Sequence, residues 1–258
     1  MKKIEDYKKS ALFFEGCISF ITEVSPDTDY YHHCYKLVIN LGQSFGCLID
    51  GQTLDGLQGL IINQATPHTL FSPNAKLLVS YIEIDSFRGW QLRGLLNGQA
   101  FVNMNCLLSP IQLEHAIPSN YNELPDGILG GFVKVLMESV FIMPPPDSFI
   151  VNQSVQLALQ FIESNLDNSL EAEDIACAIN MSSEHFRYLF VQQMSIPFAH
   201  YVKWKRIRKS IAEALSNDNT QVLSYSDFIL NHLDSDRVFK KVFGMSRSAL
   251  LRKSRLLI

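Results

Sequence analysis

The 258-residue sequence predicts an α+β protein of more than one domain, with an antiparallel β-sandwich or β-barrel and packed helices in its N-terminal part and an all-α C-terminal part. Short apolar runs separated by turn residues fill residues 30–85, which is typical of antiparallel strands. After residue 147 the apolar residues recur with helical spacing instead. Pro144, Pro145 and Pro146 stand between the two parts, and consecutive prolines cannot continue a helix. We therefore expect one domain at 1–100, a helical linking region at 101–146 and a C-terminal domain at 147–258.

The composition excludes several classes of protein. Apolar residues make up 47% of the chain and charged residues 19%, which suits packed cores and is unlike a disordered chain. No stretch of about 18 apolar residues predicts a membrane-spanning helix, and the N-terminus lacks the pattern of a secretory signal. The five cysteines are widely spaced without a Cys-x-x-Cys pair, which argues against a disulfide framework or a structural zinc site. We expect a cytoplasmic protein with reduced thiols.

Strand signals repeat at short intervals in the N-terminal part, at residues 35–41, 45–49, 57–63, 68–71 and 77–84. Asp50-Gly51 is a strong hairpin signal, because a type I′ turn needs positive φ at both central positions. In the last segment, alternation places Tyr81 and Glu83 on one face and Ile82 on the other. The face of Ile82 is the more apolar one, which allows Glu83 to face solvent.

Two helices are predicted between the strands and the prolines. Residues 86–96 form the first, and residues 127–142 form a second helix that is apolar on nearly all sides. Such a helix is either buried within its own chain or pairs with another chain, and both readings stay open.

A helix-turn-helix is predicted after the prolines. Ser169 is expected to cap a helix that ends near Ile179, and Asn180 tolerates the left-handed conformation of a tight turn. Ser182 then caps a second helix that runs to about Gln193. Two short helices joined by such a turn form this motif. Its core is expected to hold Ile175, Ala176, Ile179, Phe186, Leu189 and Phe190.

A second, related unit follows the first. The segment that begins at Leu189 aligns with the segment that begins at Val238, 49 residues later, and a helix over 198–215 joins the two units. Residues 181–258 carry 13 Lys and Arg against 6 Asp and Glu, although the whole chain has a net charge of −4. A basic end on an acidic protein points to a polyanionic partner for that end.

The C-terminal part resembles the AraC/XylS class of bacterial transcription regulators. The resemblance is carried by the run at 174–176, by Ser182, by Leu189-Phe190, by Tyr201 with Arg206-Ile207, and by the segment 237–246. The N-terminal part is similar to the cupin-like sensor domain of such regulators, on the run at 32–37, the Asp50-Gly51 hairpin and the segment 60–68. The chain departs from the family at Asn180, where the family has glycine, and at Tyr188, where it has arginine.

The resemblance implies a sequence-specific regulator that is not an enzyme and needs no cofactor. Its partners would be double-stranded DNA, a small-molecule effector, a second copy of the chain and RNA polymerase. Residues expected at the bases or phosphates are Ser183, Glu184, His185 and Arg187 of the first unit, Ser235, Arg237, Lys240 and Lys241 of the second, and Lys203 and Arg206 of the joining helix. Arg206 is equally compatible with a structural role. Asp234 and Asp236 lie beside the second reading surface, where phosphate would repel them.

Ligand contacts in the predicted barrel are expected from His33, Tyr35, His68 and Tyr81, which are polar or aromatic groups on or beside strands. A metal site is not expected, because His32 and His33 are adjacent and would point to opposite faces of a strand. Two alternatives stay open. One is a regulator whose second unit has decayed, so that it acts through protein contacts; the other is a cupin-type enzyme with an appended helical domain.

Overall fold

The computed structural model describes residues 11–14, 16–23, 32–71, 76–108, 117–118, 120, 124, 126–141 and 152–216. These residues fall into two compact units, one holding the described residues up to 141 and the other those from 152 to 216. The proline run and the second predicted helix-turn-helix, with Ser235, Arg237, Lys240 and Lys241, lie outside the described residues.

The described residues of the first unit form nine antiparallel strands. They are β1 (Ala11–Phe14), β2 (Cys17–Glu23), β3 (Tyr35–Asn40), β4 (Phe45–Ile49), β5 (Gln52–Leu57), β6 (Gly59–Ile62), β7 (His68–Phe71), β8 (Lys76–Ile82) and β9 (Phe101–Asn103). Six of them form one sheet in the order β1-β2-β8-β3-β6-β9, and three form a second sheet in the order β5-β4-β7. The predicted hairpin is confirmed: Asp50 and Gly51 have φ of 50° and 70°, and Ile49 pairs with Gln52.

Of the two arrangements that the strand pattern allowed, this topology agrees with two separate sheets, and the cupin-like barrel is corrected because it is not closed among the described strands. Among the described strands, β1 and β9 end the first sheet and β5 and β7 end the second, so no ladder joins the two sheets. The fold is therefore a pair of sheets with helices, because turn spacing predicts antiparallel neighbours but not which edges pair. Closure would also require a common tilt and shear among all strands.

The central strand β3 is buried on both of its faces. On one face, Lys36 lies opposite Tyr81 of β8 and reaches His68 of the second sheet. On the other face, Leu37 lies opposite Ser80, whose hydroxyl donates to the sulfur of Met137 at 3.6 Å. One face of the large sheet thus meets the small sheet, and the other meets a helix.

The described part of this unit also holds the helices α1 (Phe87–Leu96), α2 (Asn105–Leu108) and α3 (Asp126–Val140). Ser86 caps α1 by accepting from the Gly89 amide. The helix α3 buries Leu129, Val133, Leu136 and Met137, whereas Ile128, Phe132 and Val135 are exposed. The helix is therefore buried along one side and exposed along the other. The sequence left open burial within the chain or pairing with another chain, and this partial burial does not exclude either.

The second unit contains α4 (Gln153–Ser164), α5 (Ala172–Ala178), α6 (Ser183–Met194) and α7 (Phe198–Ser216). The predicted cap at Ser169 is wrong, because α5 begins three residues later. Glu171 precedes its first residue, and the Asp174 carboxylate accepts from the Glu171 amide at 3.1 Å. A carboxylate at this third helical position supplies the capping that the sequence reading assigned to the serine. Among the described residues, no helix is long and apolar enough to cross a membrane.

Candidate functional site

The turn between α5 and α6 is fixed by its own backbone. Asn180 has φ of 54°, in the left-handed region that asparagine tolerates. The Asn180 amide donates to Cys177 O at 3.1 Å, and the Met181 amide donates to Ala176 O at 2.8 Å. This pair of bonds is a Schellman motif, which ends a helix and redirects the chain. The turn predicted from Asn180 is therefore confirmed.

Ser182 caps the start of α6, and the helix packs through the aromatic side chains on one side. The Ser182 hydroxyl accepts from the His185 amide at 3.3 Å. Phe186 and Phe190 are fully buried, with ring centroids 5.5 Å apart, and Phe190 also meets Tyr201 of α7 at 5.6 Å. Of the predicted core, Ile175, Ala176, Phe186 and Phe190 are buried, whereas Ile179 and Leu189 are half-buried. The aromatic contacts fix the orientation of α6 within its unit.

The opposite side of α6 is open to solvent. Its exposed residues are Glu184, His185, Arg187, Tyr188, Val191 and Gln192, and Ser183 is half-buried. We call these seven residues the outer face of α6. It includes all four residues that the sequence predicted for this helix. It also includes Tyr188 and Val191, which the prediction of DNA contacts left out because they are neither charged nor small and polar.

Arg187 is held by the first helix of the motif. Its guanidinium Nη2 lies 3.2 Å from Oε1 of Glu173, which is on α5. Both side chains are more than half exposed, so the ion pair is weak, at about 0–1 kcal/mol. A stronger partner such as phosphate or guanine could replace Glu173 at little cost.

The lysines and arginines of α7 are buried or half-buried, and two of them bind the loop after α4. Arg206 donates from Nε to Leu166 O at 2.9 Å and from Nη2 to Asn168 O at 2.6 Å, so it ties α7 to the loop after α4. These bonds support the structural alternative for Arg206. Lys209 pairs with Asp167 at 2.6 Å, whereas Lys203 is half-buried near the start of the helix.

A second cluster of functional side chains lies inside the first unit. Lys36 Nζ and His68 Nε2 are 3.0 Å apart, and His68 Nδ1 is 3.0 Å from Thr66 O. The carbonyl can only accept, so the imidazole proton lies on Nδ1 and Nε2 accepts from the lysine. The His32 ring lies 4.9 Å from the His68 ring and 5.2 Å from the Tyr81 ring. We call Lys36, His32, His68 and Tyr81 the polar cluster.

Burial dominates the electrostatics of the polar cluster. It lowers the pKa of Lys36 from 10.5 to about 8. It also lowers the pKa of His68 to about 3, with the nearby Lys36 charge adding to the effect. The pKa of His32 is lowered for the same reason, with His68 and Lys36 contributing. At neutral pH the cluster therefore carries one positive charge, on Lys36, beside two neutral imidazoles.

His32 is a fully buried side chain whose ring nitrogens make no hydrogen bond of good geometry. The Cys34 backbone lies near enough to raise the pKa of the ring, against the larger lowering effect of burial. Leaving buried polar groups unsatisfied costs about 1–3 kcal/mol each. A polar ligand beside Lys36 would supply hydrogen-bonding partners for the two ring nitrogens of His32.

The structure brings together two of the four predicted ligand residues, His68 and Tyr81. Tyr35 lies on the opposite face of β3 from Lys36, opposite Ile82, and is buried there. His33 is also buried, next to His32 in the chain. Lys36 and His32, which also belong to the polar cluster, were not among the residues predicted from the sequence. Glu83, which the sequence allowed to face solvent, is only 4% exposed.

A metal site finds no support in the described part of the chain, where no group of three or more His, Cys, Asp or Glu residues could hold a metal ion. The cationic Lys36 within the polar cluster would also repel one.

Comparison with known proteins shows that part of this chain is similar to transcription regulators. No family model matches it. It is 29% identical over 101 residues to the putative HTH-type transcriptional regulator YkgA of Escherichia coli (strain K12). This match covers 39% of this chain and 42% of YkgA. It is 27% identical over 99 residues to the uncharacterized HTH-type transcriptional regulator YbfP of Bacillus subtilis (strain 168), which covers 38% of this chain and 33% of YbfP. The chain thus matches less than half the length of these curated relatives.

The fold is similar to that of ToxT from Vibrio cholerae O395, with a TM-score of 0.53 and 13% identity, over 92% of this chain and 98% of ToxT. Unsaturated fatty acid bound ToxT from strain SCE256 gives the same TM-score and identity, over 92% of this chain and 95% of that one. At this identity the likeness shows the fold alone. The two named relatives are helix-turn-helix transcription regulators, which agrees with the resemblance of this sequence to the AraC/XylS class.

Proposed function

We propose that this chain is a transcription regulator that binds specific sequences in double-stranded DNA by inserting α6 into the major groove. The observation that carries the proposal is the α5–α6 pair, which buries Phe186 and Phe190 and leaves the outer face of α6 open. In helix-turn-helix proteins the second helix reads base edges in this way. The division into 1–100, 101–146 and 147–258 goes with the proposal as sensor, linking and DNA-binding regions.

The contacts would be shared among residues of different chemistry. His185 and Glu184 lie in the first turn of α6, where side chains reach bases, and glutamate can accept from cytosine. Arg187 would exchange its exposed partner Glu173 for guanine or phosphate. Lys203 would contact phosphate. Arg206 would have a structural role instead, because its guanidinium donates to two backbone carbonyls.

The effector is proposed to be a small molecule with a carboxylate, held by the polar cluster. The buried charge of Lys36 and the unsatisfied nitrogens of His32 would both bind such a group. The fatty acid reported in the ToxT structure carries the same functional group and gives independent support for this chemistry. His33 and Tyr35, which lie outside the polar cluster, would be further from the effector carboxylate.

A homodimer is the proposed assembly, with the exposed side of α3 as its contact. Ile128, Phe132 and Val135 follow one another at helical spacing, and all three are exposed. Sedimentation of the full chain over a concentration series tests this, and a monomer at every concentration would contradict it.

The DNA proposal is tested by selecting binding sites from a library of random duplexes with the full chain. The double variant Glu184→Ala, His185→Ala should lose the selected preference, because both side chains lie in the first turn of the reading helix. Gln156→Ala, an exposed substitution on α4, is the matched control and should retain it. Selection of no common sequence by the unmodified chain, with or without oleate, would contradict the proposal.

A further inference from the structure

The outer face of α6 is apolar at its centre. Tyr188 is 60% exposed and Val191 is 43% exposed, one helical turn apart. At about 100° per residue, Tyr188 points away from the direction of Phe186 and Phe190, two residues before and after it. Tyr188 therefore lies opposite the buried side of the helix, at the middle of the surface that α6 presents to solvent.

Burial within the unit does not explain these two apolar side chains. Gln192, one turn after Tyr188, donates from its carboxamide to the Tyr188 hydroxyl, so the two side chains stand together on the outer face. Arg187, the one arginine or lysine of α6, turns to Glu173 instead. The centre of the surface thus offers an aromatic ring, a branched aliphatic group and a carboxamide.

We propose that Tyr188 and Val191 read the 5-methyl groups of thymine and that Gln192 pairs with a neighbouring adenine. In the major groove the thymine methyl is the apolar feature of the base edges, and apolar side chains contact it. A glutamine carboxamide matches the N6 and N7 groups of adenine. The first unit would therefore prefer a half-site with A·T pairs at its centre. This inference rests on the proposed function, because it requires α6 to lie in the major groove.

The test removes the methyl group and leaves the base pair intact. In the duplex selected by the full chain, each thymine is replaced in turn by deoxyuridine, and the affinity is measured at fixed salt concentration. Replacement at the central positions should weaken binding about three- to fivefold for each methyl group, as expected for the loss of one buried apolar group. Replacement outside the half-site should change nothing.

Two variants connect the effect to the named residues. Val191→Ala should reduce the penalty for at least one deoxyuridine, whereas Leu157→Ala, an equally exposed aliphatic residue on α4, should leave every penalty unchanged. Tyr188→Arg should shift the selected base at its position toward guanine, since arginine reads guanine through two hydrogen bonds. Circular dichroism verifies that each variant is folded.

The possible outcomes separate this inference from the function on which it rests. Specific binding with deoxyuridine penalties that Val191→Ala removes supports it. Specific binding that is insensitive to deoxyuridine, or a selected half-site rich in G·C pairs, overturns it and leaves the proposed function standing. Absence of specific binding overturns both. If Tyr188→Arg leaves the selected site unchanged while DNA binding persists, Tyr188 does not read a base and the inference is wrong.

Discussion

Replacing Lys36 with methionine should remove a pH-dependent weakness from the first unit. The lysine is 4% exposed, and burial lowers its pKa from 10.5 to about 8. Methionine has nearly the same length and no charge, so Lys36→Met keeps the packing and removes the titration. The substitution also leaves His68 Nε2 without its donor, at a cost of about 1–3 kcal/mol that is constant above pH 7.

The magnitude follows from the two pKa values. Between pH 8 and pH 10.5 the unfolded chain holds a proton on Lys36 that the folded protein has released, so the free energy of unfolding rises with pH. The difference between the two pKa values is worth about 3 kcal/mol at about 1.36 kcal/mol per unit. The stability of the Lys36→Met variant relative to the original protein should therefore fall by about 3 kcal/mol across this range.

Urea unfolding from pH 7 to pH 10.5 measures this difference. The chain has two tryptophans, one in each unit, so a Trp204→Phe background makes the fluorescence report on Trp90 of the first unit. The buried Cys17 and Cys47 have pKa values raised to about 11 and about 12, and they lower stability above pH 9 in both proteins. The contribution of Cys17 cancels in the comparison, but that of Cys47 cancels only in part, because the Lys36 charge also acts on the pKa of Cys47.

Lys134→Met is the matched control, because Lys134 is an exposed lysine of the same unit. Its stability profile should run parallel to that of the original protein. Parallel profiles for Lys36→Met as well, within about 0.5 kcal/mol, would refute the assignment of Lys36 as a buried cation. Lys36→Met should also lose binding of oleate, which supplies the carboxylate of the proposed effector. Methyl oleate, which lacks the charged carboxylate, should bind tightly neither to Lys36→Met nor to the original protein.

Three further predictions concern the second unit. Ser182→Ala should lower its free energy of unfolding by about 1 kcal/mol, measured in urea, because the His185 amide loses its cap; an unchanged midpoint would contradict the cap. Phe186→Ala should cost about 3–5 kcal/mol, because it opens a cavity against Phe190; calorimetry showing less than 1 kcal/mol would mean that the side chain is not buried. Arg206→Met should speed hydrogen exchange in the loop after α4, because the Arg206 guanidinium donates to the Leu166 and Asn168 carbonyls. Unchanged exchange would contradict this structural role and leave a DNA contact as the role of Arg206.

The helix-turn-helix could be predicted in detail because its signals are local. Asn180 supplies the positive φ of the turn, Ser182 caps the next helix, and Phe186 and Phe190 recur at helical spacing. Each signal acts within a few residues of where it stands in the chain. The error at Ser169 is of the same kind but small, because a serine and a nearby carboxylate compete for one helix start.

The sheets and the polar cluster could not be predicted to the same depth. Strand segments and the Asp50-Gly51 hairpin follow from local pattern, but edge pairing depends on segments far apart in the chain. Lys36 and His68 are 32 residues apart and lie in different sheets. Every residue of β3 is buried, so its pattern does not reveal which face holds the cluster. The sequence prediction therefore named Tyr35 and left out its neighbour Lys36, which contacts His68.

The central claim, that this chain is a specific DNA-binding regulator, is tested most directly by one binding measurement. The full chain is titrated with the DNA upstream of its own gene and with random DNA across a salt series, with oleate absent and present. The account predicts a preference for the upstream DNA and an affinity that falls steeply with salt, because phosphate contacts release counterions. Equal, weak and salt-insensitive binding to both DNAs under both conditions would contradict it.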